Sequence, residues 1–83
     1  MNDKKVLIKH IHKLHTTELG KIRIKKNMNM DYEDVVKYLK ELIRKKECTI
    51  YKEGKNYYCE IDNIKITINS SNYCIITAHR IVK

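Results

Sequence analysis

Four histidines stand in this chain: His10, His12 and His15 crowd together near the amino terminus, and His79 lies just before Arg80. Imidazole titrates near neutrality, so a histidine beside a cation can move a proton while the cation holds a phosphate. That combination suits RNA cleavage by transphosphorylation. A base removes the 2′-hydroxyl proton, cations steady the five-coordinate phosphorus, and an acid protonates the leaving 5′-oxygen. His79 is the first candidate for acid or base and His15 another, with Lys65 or Arg80 as charge stabiliser and Tyr58 or Thr67 orienting the phosphate.

A second feature is the run His15-Thr16-Thr17 at the amino end of an expected short helix, followed by Arg23 and Lys26. Helix amino ends favour anions, which makes this a phosphate-binding corner. The alternative is plainer: Thr16 or Thr17 simply caps the helix. Lys55, Asn69 and Thr77 complete the polar residues that could contact nucleic acid, and the six tyrosines invite base stacking. Of the adjacent Tyr57 and Tyr58, one must face inward and the other outward.

Metal chemistry finds no support in the spacing. On a continuous helix His12 and His15 share a side and His10 turns away. Cys48, Cys59 and Cys74 are odd in number, widely separated and without a C-x-x-C pair, so neither a zinc site nor a disulfide framework is expected. Each falls in an apolar alternation, where free cysteine acts as a small hydrophobe. No metal and no cofactor is expected.

Charge points the same way as the histidines. Lys and Arg total 18 against 10 Asp and Glu, a net charge of +8. Residues 1–30 hold eight of the basic residues and two of the acidic ones, while 31–46 and 47–83 are each within one charge of balance. Such a field suits a polyanion such as RNA or DNA, because neutralising phosphates releases counterions. It also suits an acidic protein partner, or solubility alone.

The elements that must position these groups change character near residue 47. Residues 4–14 carry Leu7, Ile8, Ile11 and Leu14 at helical spacing, with Asn2 or Asp3 as cap. A second short helix follows Thr16-Thr17, with Leu19, Ile22 and the stem of Lys26 expected inward and Gly20 making it irregular or late to start. Residues 32–46 form the clearest helix, capped by Asp31 with help from Asp34, and striped with Val35, Val36, Leu39, Leu42 and Ile43. Tyr32 and Tyr38 are expected to pack on it or rim it.

From Glu47 the period is two. Cys48/Ile50, Tyr57/Cys59/Ile61, Ile64/Ile66/Ile68 and Cys74/Ile76/Ala78 alternate with more polar partners, and Glu53 to Asn56, Asp62-Asn63 and Asn69 to Asn72 are turn chemistry. The expected fold is α+β, one domain over 1–83: two or three amino-terminal helices packed on a four-stranded antiparallel meander. Tyr58, Glu60, Lys65, Thr67, Asn69, Tyr73, Ile75, Thr77 and His79 are then expected on the opposite side of the sheet. No apolar run is long enough for a membrane span, and Met1-Asn2-Asp3-Lys4-Lys5 begins no secretory signal, so the expected location is cytoplasmic.

Two segments resemble a known pattern: Leu14 to Gly20 with Arg23 to Asn27, and Gly54 to Tyr58 with Ile66 to Asn69 and Tyr73 to Arg80. They are similar to an uncharacterised bacterial domain-of-unknown-function family of short proteins. That resemblance covers nearly the whole chain and implies no activity. The element order also bears a looser likeness to the barnase, colicin and RelE-type ribonucleases, which place helices before a four-stranded sheet and cleave RNA without metal. Family-motif polar residues present here are His15, Thr17, Arg23, Asn27, Lys55, Asn56, Thr67, Asn69, Thr77 and His79. The leading reading is a metal-independent endoribonuclease or RNA-binding protein; the alternative is a non-enzymatic protein-interaction module of mobile-element or phage type. Convergence of His15, Arg23 and His79 in one cleft separates the two.

Overall fold

Asp3 opens the first helix, α1 (Asp3–Lys9), of a computed structural model that describes residues 3–29 and 33–81. Asn2, Asp31 and Tyr32, to which capping and packing were assigned, lie outside the described residues. The helix expected over 4–14 is not continuous. It stops at Lys9, His10 leaves helical geometry, and one 3₁₀ turn follows at Ile11–Lys13. The break keeps Leu7, Ile11 and Leu14 all buried while the chain turns to meet the sheet.

Helix α2 (Glu18–Met28) starts at Thr17, whose hydroxyl accepts the Gly20 amide at 3.0 Å. It neither starts late nor breaks at Gly20. Its inward strip is Gly20, Ile24 and Met28, and Leu19 and Ile22, expected inward, are 69% and 62% exposed; Lys26 is exposed as well. The reason is tertiary. The Thr16 hydroxyl donates to the Ile75 carbonyl at 3.0 Å, His15 bridges Cys74 in parallel, and the Arg80 Nε donates to the Met28 carbonyl at 3.2 Å. With both ends tied along the last strand, the helix can only turn its glycine inward.

Helix α3 (Val35–Arg44) is shorter than 32–46 because Asp34 caps it, accepting the Lys37 amide at 3.0 Å. Val35, Leu39, Leu42 and Ile43 are buried, with Val36 and Tyr38 packed beside them. Its carboxyl end is closed from a distance: the Lys4 ammonium donates to the carbonyls of Lys45, Lys46 and Cys48, a cation where the helix dipole favours one.

The sheet is an antiparallel meander in the order β1 (Thr49–Glu53), β2 (Asn56–Ile61), β3 (Ile64–Asn69), β4 (Ile75–Arg80). Asp62 and Asn63 both take positive φ, the pattern of a two-residue I′ hairpin, and Gly54 alone does so in the turn before β2. Inward residues of β2, β3 and β4 join the helices' apolar strips in one core. One expectation fails on β4. Register shifts between Thr67 and Ile68, so Ile68 pairs with Ile75 while Thr67 pairs with Thr77. The extra residue is Ile76, which is 45% exposed, whereas Ile75 is buried. A bulge resets the alternation at that point, and Ala78 still faces the core.

Candidate functional site

The opposite side of the sheet faces away from the buried core. Cross-strand register lays its side chains in rows. Tyr51, Tyr58, Thr67 and Thr77 form one row across all four strands, and Thr49, Glu60, Lys65 and His79 form the next. Glu53, Asn56 and Asn69 make a third toward the turns. Period-two alternation places these residues together.

Two aromatic rings sit near the middle. Tyr51 and Tyr58 stack with centroids 5.5 Å apart at 27°, and the Lys65 ammonium lies 4.9 Å from the Tyr58 centroid. Polar contacts fix both rings: the Tyr51 hydroxyl donates to Glu60 Oε2 at 2.8 Å, and Asn56 Nδ2 donates to the Tyr58 hydroxyl at 3.3 Å. Donation to the Glu60 carboxylate holds the Tyr51 hydroxyl above its ordinary pKa. Thr67 is buried beneath its neighbours, and Lys65, His79 and Thr77 are half-buried.

Helix α2 walls the β4 side of this surface. Asn27 Nδ2 donates to the Thr77 hydroxyl at 3.4 Å, and Arg23, one turn earlier on the same side of the helix, is exposed. Lys26 is also exposed on α2.

Other predicted site residues are not on this surface or are otherwise engaged. Asn69 Oδ1 accepts the amides of Ser71 and Asn72, shaping the last turn. Arg80 pairs in register with the inward Ile64, and its Nε serves the end of α2. Lys55 is exposed in the β1–β2 turn, where its carbonyl accepts the Ser70 amide. The His15-Thr16-Thr17 corner is occupied by its own chain: one threonine caps α2 and the other binds Ile75. His10 stacks on Tyr73 at 5.5 Å, with the Lys13 ammonium 5.7 Å from the Tyr73 centroid.

The structure therefore joins His79 to Lys65 but separates them from His15. His15 is exposed, with Nδ1 against the Lys13 carbonyl, and its backbone pairs beside Ile75 at the start of β4. His79 lies four residues further along, about 13 Å at roughly 3.3 Å per strand residue. Among the described residues no group of three or more His, Cys, Asp or Glu side chains is placed to hold a metal ion. Tyr51 was not singled out from sequence, although Ile50 inward and the Gly54 turn together put it opposite Tyr58.

Residues 8–79 match the family model for a protein of unknown function, DUF3781. The chain belongs to this family. DUF3781 carries no assigned activity in that description. No curated protein and no solved structure matches the chain, so nothing beyond element order joins this DUF3781 domain to the barnase, colicin and RelE-type ribonucleases. No helix among the described residues is long and apolar enough to cross a membrane.

Proposed function

We propose that this DUF3781 domain binds single-stranded RNA on the open side of its sheet, without cleaving it. The observation that carries the reading is the stacked Tyr51–Tyr58 pair with Lys65 over it, on the side of the sheet away from the buried core. Bases stack on such rings for about 1–3 kcal/mol each, independent of sequence. Phosphates would run toward α2, where Arg23 and Lys26 belong to the segment holding most of the surplus charge. Lys65 and His79 supply a cation and a proton donor, and Thr67, Thr77 and Asn27 supply neutral hydrogen bonds. Cleavage is left out because the second candidate for proton transfer, His15, is set beside the opposite end of β4 from His79, with its Nδ1 against the Lys13 carbonyl.

Fluorescence anisotropy with a labelled oligouridylate, titrated at several salt concentrations, tests this. The expected result is an affinity falling linearly on a log–log plot against salt, and a Tyr58→Ala variant weaker by about 5- to 100-fold. A flat salt response, equal binding by Tyr58→Ala, or preference for duplex DNA would reject it. Exposure of Leu19, Ile22 and Ile76 favours a second reading, a protein-interaction module whose acidic partner meets the basic, partly apolar α2. Binding of a labelled acidic peptide that Tyr58→Ala leaves unchanged but Leu19→Asp abolishes would point there.

A further inference from the structure

Glu60 sits where a phosphate-binding surface would ordinarily carry no carboxylate. It is half-buried in the row of Thr49, Glu60, Lys65 and His79, beside the stacked tyrosines. Its register partner does not neutralise it: the Lys65 ammonium lies over the Tyr58 ring, 4.9 Å from the centroid, and Glu60 has no ion pair among the described residues. The Tyr51 hydroxyl donates to Oε2 at 2.8 Å. A carboxylate has room for about four hydrogen bonds, so Oε1 and part of Oε2 are left without a donor among the described residues.

The free capacity has a place to act. Glu60 lines a depression of about 300 Å³ whose wall also holds Glu47, Ile61, Asp62, Asn63 and Ile81. Carboxylates there repel phosphate, so a bound strand would turn a base edge toward them and its backbone toward Arg23 and Lys26 on α2. The Tyr51 hydroxyl, at the rim of its ring, is within hydrogen-bond distance of Glu60, so a base stacked on Tyr51 brings its own edge to the same carboxylate. That edge must donate.

We infer that, given single-stranded RNA binding at this site, Glu60 makes it selective for guanine. Guanine alone of the four RNA bases offers two adjacent donors, N1–H and the N2 amino group, which match the two oxygens of a carboxylate. Adenine and cytosine set a ring-nitrogen acceptor beside their amino group, and uracil flanks N3–H with two carbonyl oxygens; each points a lone pair at the carboxylate. Two acceptors face to face are both left unsatisfied, which costs more than a missing bond. Tyr51 serves twice, its ring carrying the base and its hydroxyl fixing the carboxylate that reads it.

Anisotropy at constant salt with four labelled heptamers, oligouridylate with guanine, adenine, cytosine or uracil at the centre, tests the selection. The guanine heptamer should bind about 10-fold or more tighter than the others, as a two-point base contact provides. Inosine, which lacks the N2 amino group, should lose most of that advantage, whereas 7-deazaguanine, which keeps both donors, should retain it. Glu60→Gln turns an amide donor toward the base and should bring the four heptamers within about twofold of one another. Guanosine monophosphate should displace the guanine heptamer only weakly; displacement as strong as by unlabelled heptamer would make a free nucleotide the ligand and overturn the RNA assignment. Equal binding of all four heptamers by the wild-type protein would overturn guanine selection while leaving RNA binding in place, and no binding of any heptamer would remove both. Full advantage kept by inosine or by Glu60→Gln, or lost by 7-deazaguanine, would overturn the contact with Glu60, and the base analogues decide this on the wild-type protein even where the variant fails to fold.

Discussion

Gly20 shows how one missing β-carbon sets a helix orientation. In an exposed helix, alanine is favoured over glycine by about 1 kcal/mol. Here a β-carbon would collide with the Thr16 hydroxyl oxygen, which is held by its bond to the Ile75 carbonyl. Gly20→Ala should therefore destabilise the protein by about 1–2 kcal/mol instead of stabilising it, an unsatisfied half-buried hydroxyl and a shifted side chain outweighing propensity. The same substitution made in a Thr16→Ala background meets only the Thr17 hydroxyl, 3.2 Å away, and should recover most of that loss. Urea denaturation of the four proteins of this cycle measures the coupling; additive effects would show that Thr16 is not the obstacle.

Between elements, the bulge in β4 matters most, because strict alternation inverts two neighbouring isoleucines. Ile75 is 1% exposed and Ile76 45% exposed, so truncating them should differ sharply. Ile75→Ala should cost about 2–4 kcal/mol as a cavity opens in the core. Ile76→Ala should stay within about 0.5 kcal/mol, as surface changes do. Urea midpoints for the pair test the assignment, and equal or reversed losses would place the bulge elsewhere. The bulge has a second consequence: beyond it Thr77 and His79 return to register with Thr67 and Lys65, so the rows across the open side of the sheet depend on it.

Across the whole molecule, several acidic groups are kept protonated by the fold. Burial raises Tyr57, the bond to Glu60 raises Tyr51, and the bond to Cys48 together with burial raises Cys59, against ordinary values of 10.0, 10.0 and 9.0. A raised folded-state pKa stabilises fully below the unfolded value and is lost as pH climbs through the folded one. Thermal unfolding should accordingly show a melting temperature that declines progressively once pH passes about 9–10. A melting temperature level up to pH 11 would contradict it.

Much of this architecture is legible in the residues alone. The stripe from Val35 to Ile43, the turns at Gly54 and Asp62-Asn63, and the isoleucines at 64, 66 and 68 are local patterns, and local patterns determine the helix-then-sheet order, the meander and the outward Tyr58, Lys65, Thr67, Thr77 and His79. What escapes such patterns is whatever depends on contacts between distant segments. Leu19 and Ile22 sit outside because Thr16, His15 and Arg80 tie α2 to β4 across dozens of residues. Ile75 displaces Ile76 because Ile68, on the neighbouring strand, meets an extra residue. Lys4 ends α3 from the other end of the chain. His15 and His79, chemically equal in the sequence, part company because β4 runs between them. Composition and period determined the elements and the inward faces of α3, β2 and β3; the ties between segments, whose energies no local window contains, decided how α2 and β4 turn and which residues face one another.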